Sequence, residues 1–323
     1  FDFTLFLNLE MIQNIFFTTK FFIAILIINL FVTPLRLCHE RGLEKTYPIQ
    51  HESSEHKGPD SEEDRFLITG GYRPINHNLT KYLVSISYAN FIKFFGDAHF
   101  CGGSIIKPNT ILTAAHCISK QMNGFQMMRS IIVIAGTPNR FVRTDKTQVM
   151  KVKRFVVHGG DSVDIALIIL RKDIKIDDVT TGVLAIATEP PRTGTRCIVL
   201  GWGRIFDHGP MPAEVMYVDL QIWSQRRCQS YRAFYLPSLI CAGEPEHPER
   251  DSCSGDSGGP LICAARLVGV VSFGIGCGTP GYPGFYTNVY KYGDWIRENC
   301  GNTCGAGTFL KVYVMLYLCY LLL

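Results

Sequence analysis

The stretch Asp251-Ser-Cys-Ser-Gly-Asp-Ser-Gly-Gly-Pro260 sets one serine, Ser257, among glycines 255, 258 and 259. A serine hydroxyl is a poor nucleophile until a neighbouring base takes its proton. Glycines beside it let a carbonyl substrate and backbone N–H groups come close. Gly255-Asp-Ser-Gly-Gly259 also fits the G-x-S-x-G pattern of a nucleophile elbow, which opens a helix. Pro260 and the apolar Leu261-Ile-Cys-Ala264 instead lead into Leu267-Val-Gly-Val-Val271, which reads as strand. The elbow is therefore the weaker reading, and the partners decide. Leu112-Thr-Ala-Ala-His-Cys117 offers an imidazole base, and Asp164-Ile-Ala-Leu167 offers a carboxylate to orient it.

The chain order His116, Asp164, Ser257 is the chymotrypsin order and differs from those of subtilisins and α/β-hydrolases. On these three motifs the sequence resembles a trypsin-like serine protease of the chymotrypsin family, of the kind made as a secreted zymogen in insects. The resemblance runs from about Ile68 to Asn299. It implies His116 as general base and then general acid, and Asp164 as the group that fixes the imidazole tautomer. The backbone N–H groups of Gly255 and Ser257 would form the oxyanion hole, and Ser272 would sit beside Asp164. Asp251, six residues before Ser257, falls where the family places the floor of its primary specificity pocket. A carboxylate there pairs with Arg or Lys of a substrate. Gly274 and Gly284 match wall positions that must stay small.

Activation in the family frees an Ile-Val-Gly-Gly terminus, whose amine buries against the Asp before the serine. The matching residues are Ile68-Thr-Gly-Gly71 and Asp256, but the basic residue is Arg65, with Phe66 and Leu67 between. Either a cut after Arg65 leaves two extra residues, or the cut falls after Leu67. Phe273 and Ser254 replace the commoner Trp and Gln, which tunes subsites.

These residues need rigid supports. Short β-branched runs broken by Gly, Pro and Asn, such as Tyr82–Ser87, Ser130–Ala135, Val149–Lys153 and Ile198–Leu200, read as strands of an all-β barrel or sandwich. Helix is expected only as a turn over Ala114–Ser119 and over Lys291–Glu298. The resemblance sharpens this to an all-β fold of two antiparallel β-barrels of the chymotrypsin type with a short C-terminal helix. The barrels would span about 68–178 and 182–290, crossing over near Asp173 to Thr181. His116 and Asp164 would come from the first barrel and Ser257 from the second. The resemblance also implies four disulfides: Cys101–Cys117, Cys197–Cys263, Cys228–Cys241 and Cys253–Cys277. Cys38, Cys300, Cys304 and Cys319 stay unassigned.

With 323 residues, 47% of them hydrophobic, the chain can bury a large core. A net charge of +4 gives no ground for a nucleic-acid partner. Twelve cysteines point to an oxidising compartment. Phe21–Val32 is an apolar block of signal-peptide length after Lys20. Residues 11–38 therefore read as a signal peptide starting at Met11, and 1–10 as a non-native extension. Residues 39–67, ending in Asp60-Ser-Glu-Glu-Asp-Arg65, are too polar to fold alone. They read as a linker or, preferably, an acidic activation peptide before the protease domain at 68–300. The apolar tail 301–323 resembles a lipid-anchor signal; the rival readings are a weak transmembrane anchor and a gene-boundary error.

The expectation is a secreted, extracellular serine endopeptidase that cuts after Arg or Lys by acyl-enzyme chemistry and is made as a zymogen. Its partners would be protein substrates, an activating protease and protein inhibitors, with a membrane tether left open by the tail. The alternative is a catalytically silent homologue that binds or regulates. No cofactor or metal spacing is seen, and Ser130–His158 is too poor in acids for a calcium loop. Asn78-Leu-Thr80 is a glycosylation sequon. Lys146, Lys151, Lys153 and Arg154 form either an exosite or an ordinary solvated face.

Overall fold

The computed structural model describes residues 70–90, 93–119, 130–160, 162–231 and 233–300. All of them belong to the compact unit Ser61–Leu323. The signal and activation peptides, Arg65, Ile68, the apolar tail, Cys38, Cys304 and Cys319 lie outside the described residues. Among the described residues no helix is long and apolar enough to cross a membrane.

The first six strands are β1 (Leu83–Tyr88), β2 (His99–Lys107), β3 (Thr110–Thr113), β4 (Ile131–Ala135), β5 (Gln148–Val157) and β6 (Ala166–Leu170). They close a barrel in the order β1-β2-β3-β6-β5-β4, every pairing antiparallel, with Ser85 opposite Ile134 at the closure. Runs such as Ile131-Ile-Val-Ile-Ala135 are buried along their whole length. β5 instead alternates, presenting Lys151, Lys153 and Arg154 to solvent. β-Branched side chains suit both surroundings, because they pack well on a pleated face.

The second set is β7 (Ala185–Ile186), β8 (Arg196–Gly201), β9 (Met216–Ile222), β10 (Leu239–Gly243), β11 (Pro260–Cys263), β12 (Arg266–Phe273) and β13 (Gly284–Asn288). Strands β11-β8-β9-β10-β13-β12 follow one another, and β12 pairs back onto β11, closing a second six-stranded antiparallel barrel. The short β7 adds to β12 in parallel. Among the described residues helix is confined to α1 (His116–Ser119), α2 (Gln225–Gln229), which was not expected, α3 (Gly293–Cys300) and brief 3-10 turns. The fold is thus the two-barrel, all-β architecture with one short C-terminal helix. Ser257 is followed by β11 rather than by a helix, which removes the nucleophile-elbow reading.

Val199, Met216, Val218, Leu261, Val271 and Tyr286 fill the second barrel. Ile105, Ile111, Leu112, Val133, Leu167 and Ile168 fill the first, in a cluster that continues through Leu200 and Trp202. Each such buried side chain contributes about 1.5–3 kcal/mol. The barrels therefore share apolar contact and hold their loops in fixed relation. Four disulfides join Cys101–Cys117, Cys197–Cys263, Cys228–Cys241 and Cys253–Cys277. Cys300 is disulfide-bonded too.

Candidate active site

Three segments meet where the barrels face each other. β3 ends at Thr113, the buried Ala114 and Ala115 turn the chain, and His116 opens α1. Asp164 stands two residues before β6, and Ser257 lies in the connection from β10 to β11. The Cys101–Cys117 bridge ties the residue after His116 to β2.

His116 Nδ1 lies 2.8 Å from Asp164 Oδ2, and the His116 backbone N–H donates to Oδ1 at 2.9 Å. An ionised carboxylate only accepts, so Nδ1 carries a proton, and in the neutral tautomer this selects, the lone pair is on Nε2. Ser272, on β12, donates its hydroxyl to Oδ2 at 2.5 Å, and Thr287 donates to the Asp164 carbonyl at 2.7 Å. Burial raises the Asp164 pKa, but the hydrogen bond and charge of His116 and the Ser272 hydroxyl outweigh it. The net shift is downward, and Asp164 is an anion near neutrality.

Ser257 is held against the same wall. Its carbonyl accepts from Gly102 N–H at 2.8 Å, and Cys117 Sγ lies 3.6 Å from that oxygen and 3.8 Å from His116 Nε2. Gly258 makes the approach feasible: its φ is +79°, and a Cβ there would stand 2.1 Å from Thr113 Oγ1. Around the serine, the N–H groups of Cys253, Asp256, Gly258 and Gly259 all have acceptors. Among the described contacts those of Gly255 and Ser257 have none. Two free N–H groups beside a nucleophile suit a developing oxyanion.

A cleft of about 400 Å³ opens beside Ser257, lined also by Ser252, Cys253, Ser272, Phe273, Gly274 and Gly276. Asp251, next in the chain to the lining residue Ser252, is 5% exposed and accepts from Ser252 N–H at 2.8 Å and Gly278 N–H at 3.2 Å. A Cβ on Gly284 would fall 2.7 Å from Asp251 Oδ1, and one on Gly274 would fall 3.5 Å from Oδ2. The structure thus brings Asp251 close to both Gly284 and Gly274, and of these three Gly274 lines the cleft. Ser272 serves Asp164 while also lining the cleft wall. Phe273 stacks on Phe285 with ring centroids 4.8 Å apart.

Asp256 is 1% exposed and accepts from Gly203 N–H at 2.7 Å and Cys253 N–H at 3.0 Å. Among the described residues no cation pairs with it. Burial pushes its pKa up to about 6, and burial pushes that of Asp251 up to about 7. Both stand above the ordinary 3.8. The folded chain therefore holds these protons where the unfolded chain has lost them. Their contribution to stability is full below about pH 4 and is lost as pH rises through about 6 and 7. Asp164, lowered, works in the opposite sense at acid pH. Urea unfolding of the uncut protein should give a midpoint that these two groups pull down from about pH 4 to about pH 7 and no further above it, and Asp251→Asn should flatten part of that slope. An unchanged slope in the variant would count against the assigned shift.

Sequence reasoning missed two supports and one lining residue. His99 is buried, with Nε2 3.1 Å from the Gly255 carbonyl and Nδ1 2.8 Å from Ser85 Oγ. Burial, then the charge of Arg140, lowers its pKa to about 4, so it stays neutral. Arg140 donates to the carbonyls of Gly96, Met211 and Pro212, and the Met211 side chain packs behind Gly255. Asp207 also lines the cleft. None stands in a local motif. Cys101, His116 and Cys117 lie close enough to suggest a metal site, but both sulfurs are in the disulfide.

Residues 68–296 match the protein family described as Trypsin. The chain is 33% identical over 239 residues to putative trypsin-6 of Homo sapiens, spanning 73% of this chain and 90% of that protein. It is 33% identical over 246 residues to trypsin I-P1 of Gallus gallus, spanning 74% and 91%. Against trypsin eta of Drosophila melanogaster the identity is 35% over 230 residues, spanning 68% and 83%.

Proposed function

Since the chain belongs to the trypsin family and is a serine-type endopeptidase, we propose that Ser257, His116 and Asp164 cleave peptide bonds after Arg or Lys. The observation that carries this reading is the Asp164–His116 pair at 2.8 Å, next to a serine flanked by two free N–H groups. His116 Nε2 takes the Ser257 proton as Oγ attacks the scissile carbonyl, and Asp164 stabilises the imidazolium. The N–H groups of Gly255 and Ser257 receive the oxyanion, each donor contributing about 3 kcal/mol. The imidazolium then protonates the leaving amine, and water, deprotonated by the same ring, releases the acyl group. Asp251 supplies the negative floor that selects a basic side chain.

The enzyme is further read as a secreted zymogen. Four disulfides fit an oxidising compartment. Asp256, buried without a cation among the described residues, is suited to an incoming terminal amine. Tyr72 exchanges two backbone hydrogen bonds of 2.9 Å with Tyr217, which anchors the segment just after Ile68. Four residues of extended chain reach about 13–14 Å. An activating protease and protein inhibitors are the partners this reading implies.

The test is to treat the uncut protein separately with trypsin and chymotrypsin, sequence the new terminus, and assay Arg- and Phe-based peptide amides. The expected result is turnover of Arg amides once Ile68 or Phe66 is exposed. A clean cut at either bond with no turnover in a folded protein would move the assignment to a silent, binding homologue.

A further inference from the structure

Asn78-Leu-Thr80 is the single Asn-x-Ser/Thr triplet in the chain, and the mechanism above makes no use of it. Its two functional side chains have opposite environments. Asn78 is exposed in a turn, with no described contact to its amide, and it does not line the cleft. Thr80 is 6% exposed, and its hydroxyl lies 3.1 Å from the hydroxyl of Tyr217, itself 4% exposed on β9. The backbone is pinned at the same point. Leu79 N–H donates to the Tyr217 hydroxyl at 3.1 Å, Thr80 N–H to the His77 carbonyl at 2.9 Å, and Thr80–Tyr82 forms a 3-10 turn.

We infer that Asn78 carries an N-linked glycan and that it can be attached only before this turn closes onto Tyr217. The inference rests on the secretion reading. The acceptor triplet must present the asparagine amide and the threonine hydroxyl together to the transferring enzyme. In the folded chain the amide is open, but the hydroxyl is buried and engaged. In the transfer, Asn78 Nδ2 forms a bond to the anomeric carbon of a lipid-pyrophosphate-linked oligosaccharide. The bond from that carbon to the pyrophosphate oxygen breaks, the lipid pyrophosphate leaves, and the amide gives up one proton. Thr80 then takes its second role. Its hydroxyl pairs with Tyr217, whose backbone also receives Tyr72, so the turn that bears the glycan closes where the N-terminal segment docks.

The two roles of Thr80 separate by substitution. Asn78→Gln removes the glycan and leaves kcat/KM unchanged. Thr80→Ser keeps a hydroxyl, and so keeps both the glycan, at lower occupancy, and the contact to Tyr217. Thr80→Val loses the glycan and also lowers the melting temperature, because a buried hydroxyl loses its partner. Secreted wild-type protein should show one peptide-N-glycosidase-sensitive shift, absent from the Asn78→Gln variant.

The closing test uses the full chain made without glycans, purified oligosaccharyltransferase and a lipid-linked oligosaccharide donor. Chain that is reduced and unfolded should be modified at Asn78, whereas the folded form should be modified at least tenfold more slowly. Equal rates for the two forms, or no modification of the unfolded chain, would overturn the inference. This arm does not require the chain to enter a cell's secretory pathway, so its failure is separate from failure of the secretion reading.

Discussion

Replacing Ser257 by alanine should lower kcat of the activated enzyme by roughly 10⁶-fold, while the protein folds as before. The two halves of that statement rest on different atoms. The proposed catalysis uses the hydroxyl, which the substitution removes. Folding uses the backbone, whose carbonyl still accepts from Gly102 N–H and whose neighbours Gly258 and Gly259 keep their partners. Ser257 is only partly buried, so losing one oxygen should change stability by about 0.5 kcal/mol or less. His116→Ala should cost nearly as much, and the double variant hardly more, because a general base with no nucleophile to deprotonate has nothing left to contribute. A residual acceleration of roughly 10³-fold over water should persist in all three, from the free N–H pair and substrate binding. Turnover assays on Arg amides, with melting curves on the same preparations, decide the matter. Near wild-type turnover in Ser257→Ala would remove Ser257 from the mechanism. Additive losses in the double variant would mean that the two side chains do not act as a unit.

Much of this site is legible in the sequence because each of its parts is announced locally. Ser257 comes with its glycines, His116 with the two alanines before it, and Asp164 with the strand it introduces. The strands show for a similar reason: Ile131–Ala135 is an unbroken β-branched run, buried throughout. The sequence pattern predicts a strand over Val149–Lys153, yet β5 runs from Gln148 to Val157, because exposed Lys153 and Arg154 in succession break the alternation where the barrel faces water. β2 is harder still, since Cys101-Gly-Gly-Ser104 has low strand propensity and pairs there because the Ser257 turn lies against it. The supports of the loop around Gly255 are not legible. His99 meets the Gly255 carbonyl across 156 residues, and Arg140 meets Met211 and Pro212 across 71 and 72. Arginine is ordinarily exposed, so nothing in the neighbourhood of Arg140 marks it as a buried clamp on three carbonyls. Such pairings exist only once both barrels have closed.

Asp251→Asn should reduce kcat/KM for Arg and Lys amides by roughly 10²–10³-fold and leave Leu or Phe amides little changed. Removing one partner of a buried, hydrogen-bonded charge pair costs about 2–5 kcal/mol, and the substrate cation would be left in the cleft with no anion. The structure adds a pH dependence that an exposed carboxylate would not have. Burial holds the Asp251 pKa at about 7 in the empty site, so below that pH the carboxyl is mostly protonated. A small amidinium ligand binds the ionised form, so its binding must expel that proton. Its Kd should therefore fall about tenfold for each unit rise in pH up to about 7 and then level off. Measuring Kd by calorimetry on activated Ser257→Ala protein keeps the chemical step out of the signal. In Asp251→Asn the affinity should be weak and the profile flat. Gly284→Ala offers an independent check, because its Cβ would stand 2.7 Å from Asp251 Oδ1 and must displace the carboxylate. A shift of about 1 Å can cost roughly 10²-fold in rate, and the loss should again fall on basic substrates. If Arg and Phe amides dropped equally in Asp251→Asn, the residue would be a structural prop for the loop that carries Ser257. A steep pH profile surviving in that variant would mean that Asp251 is not the titrating group.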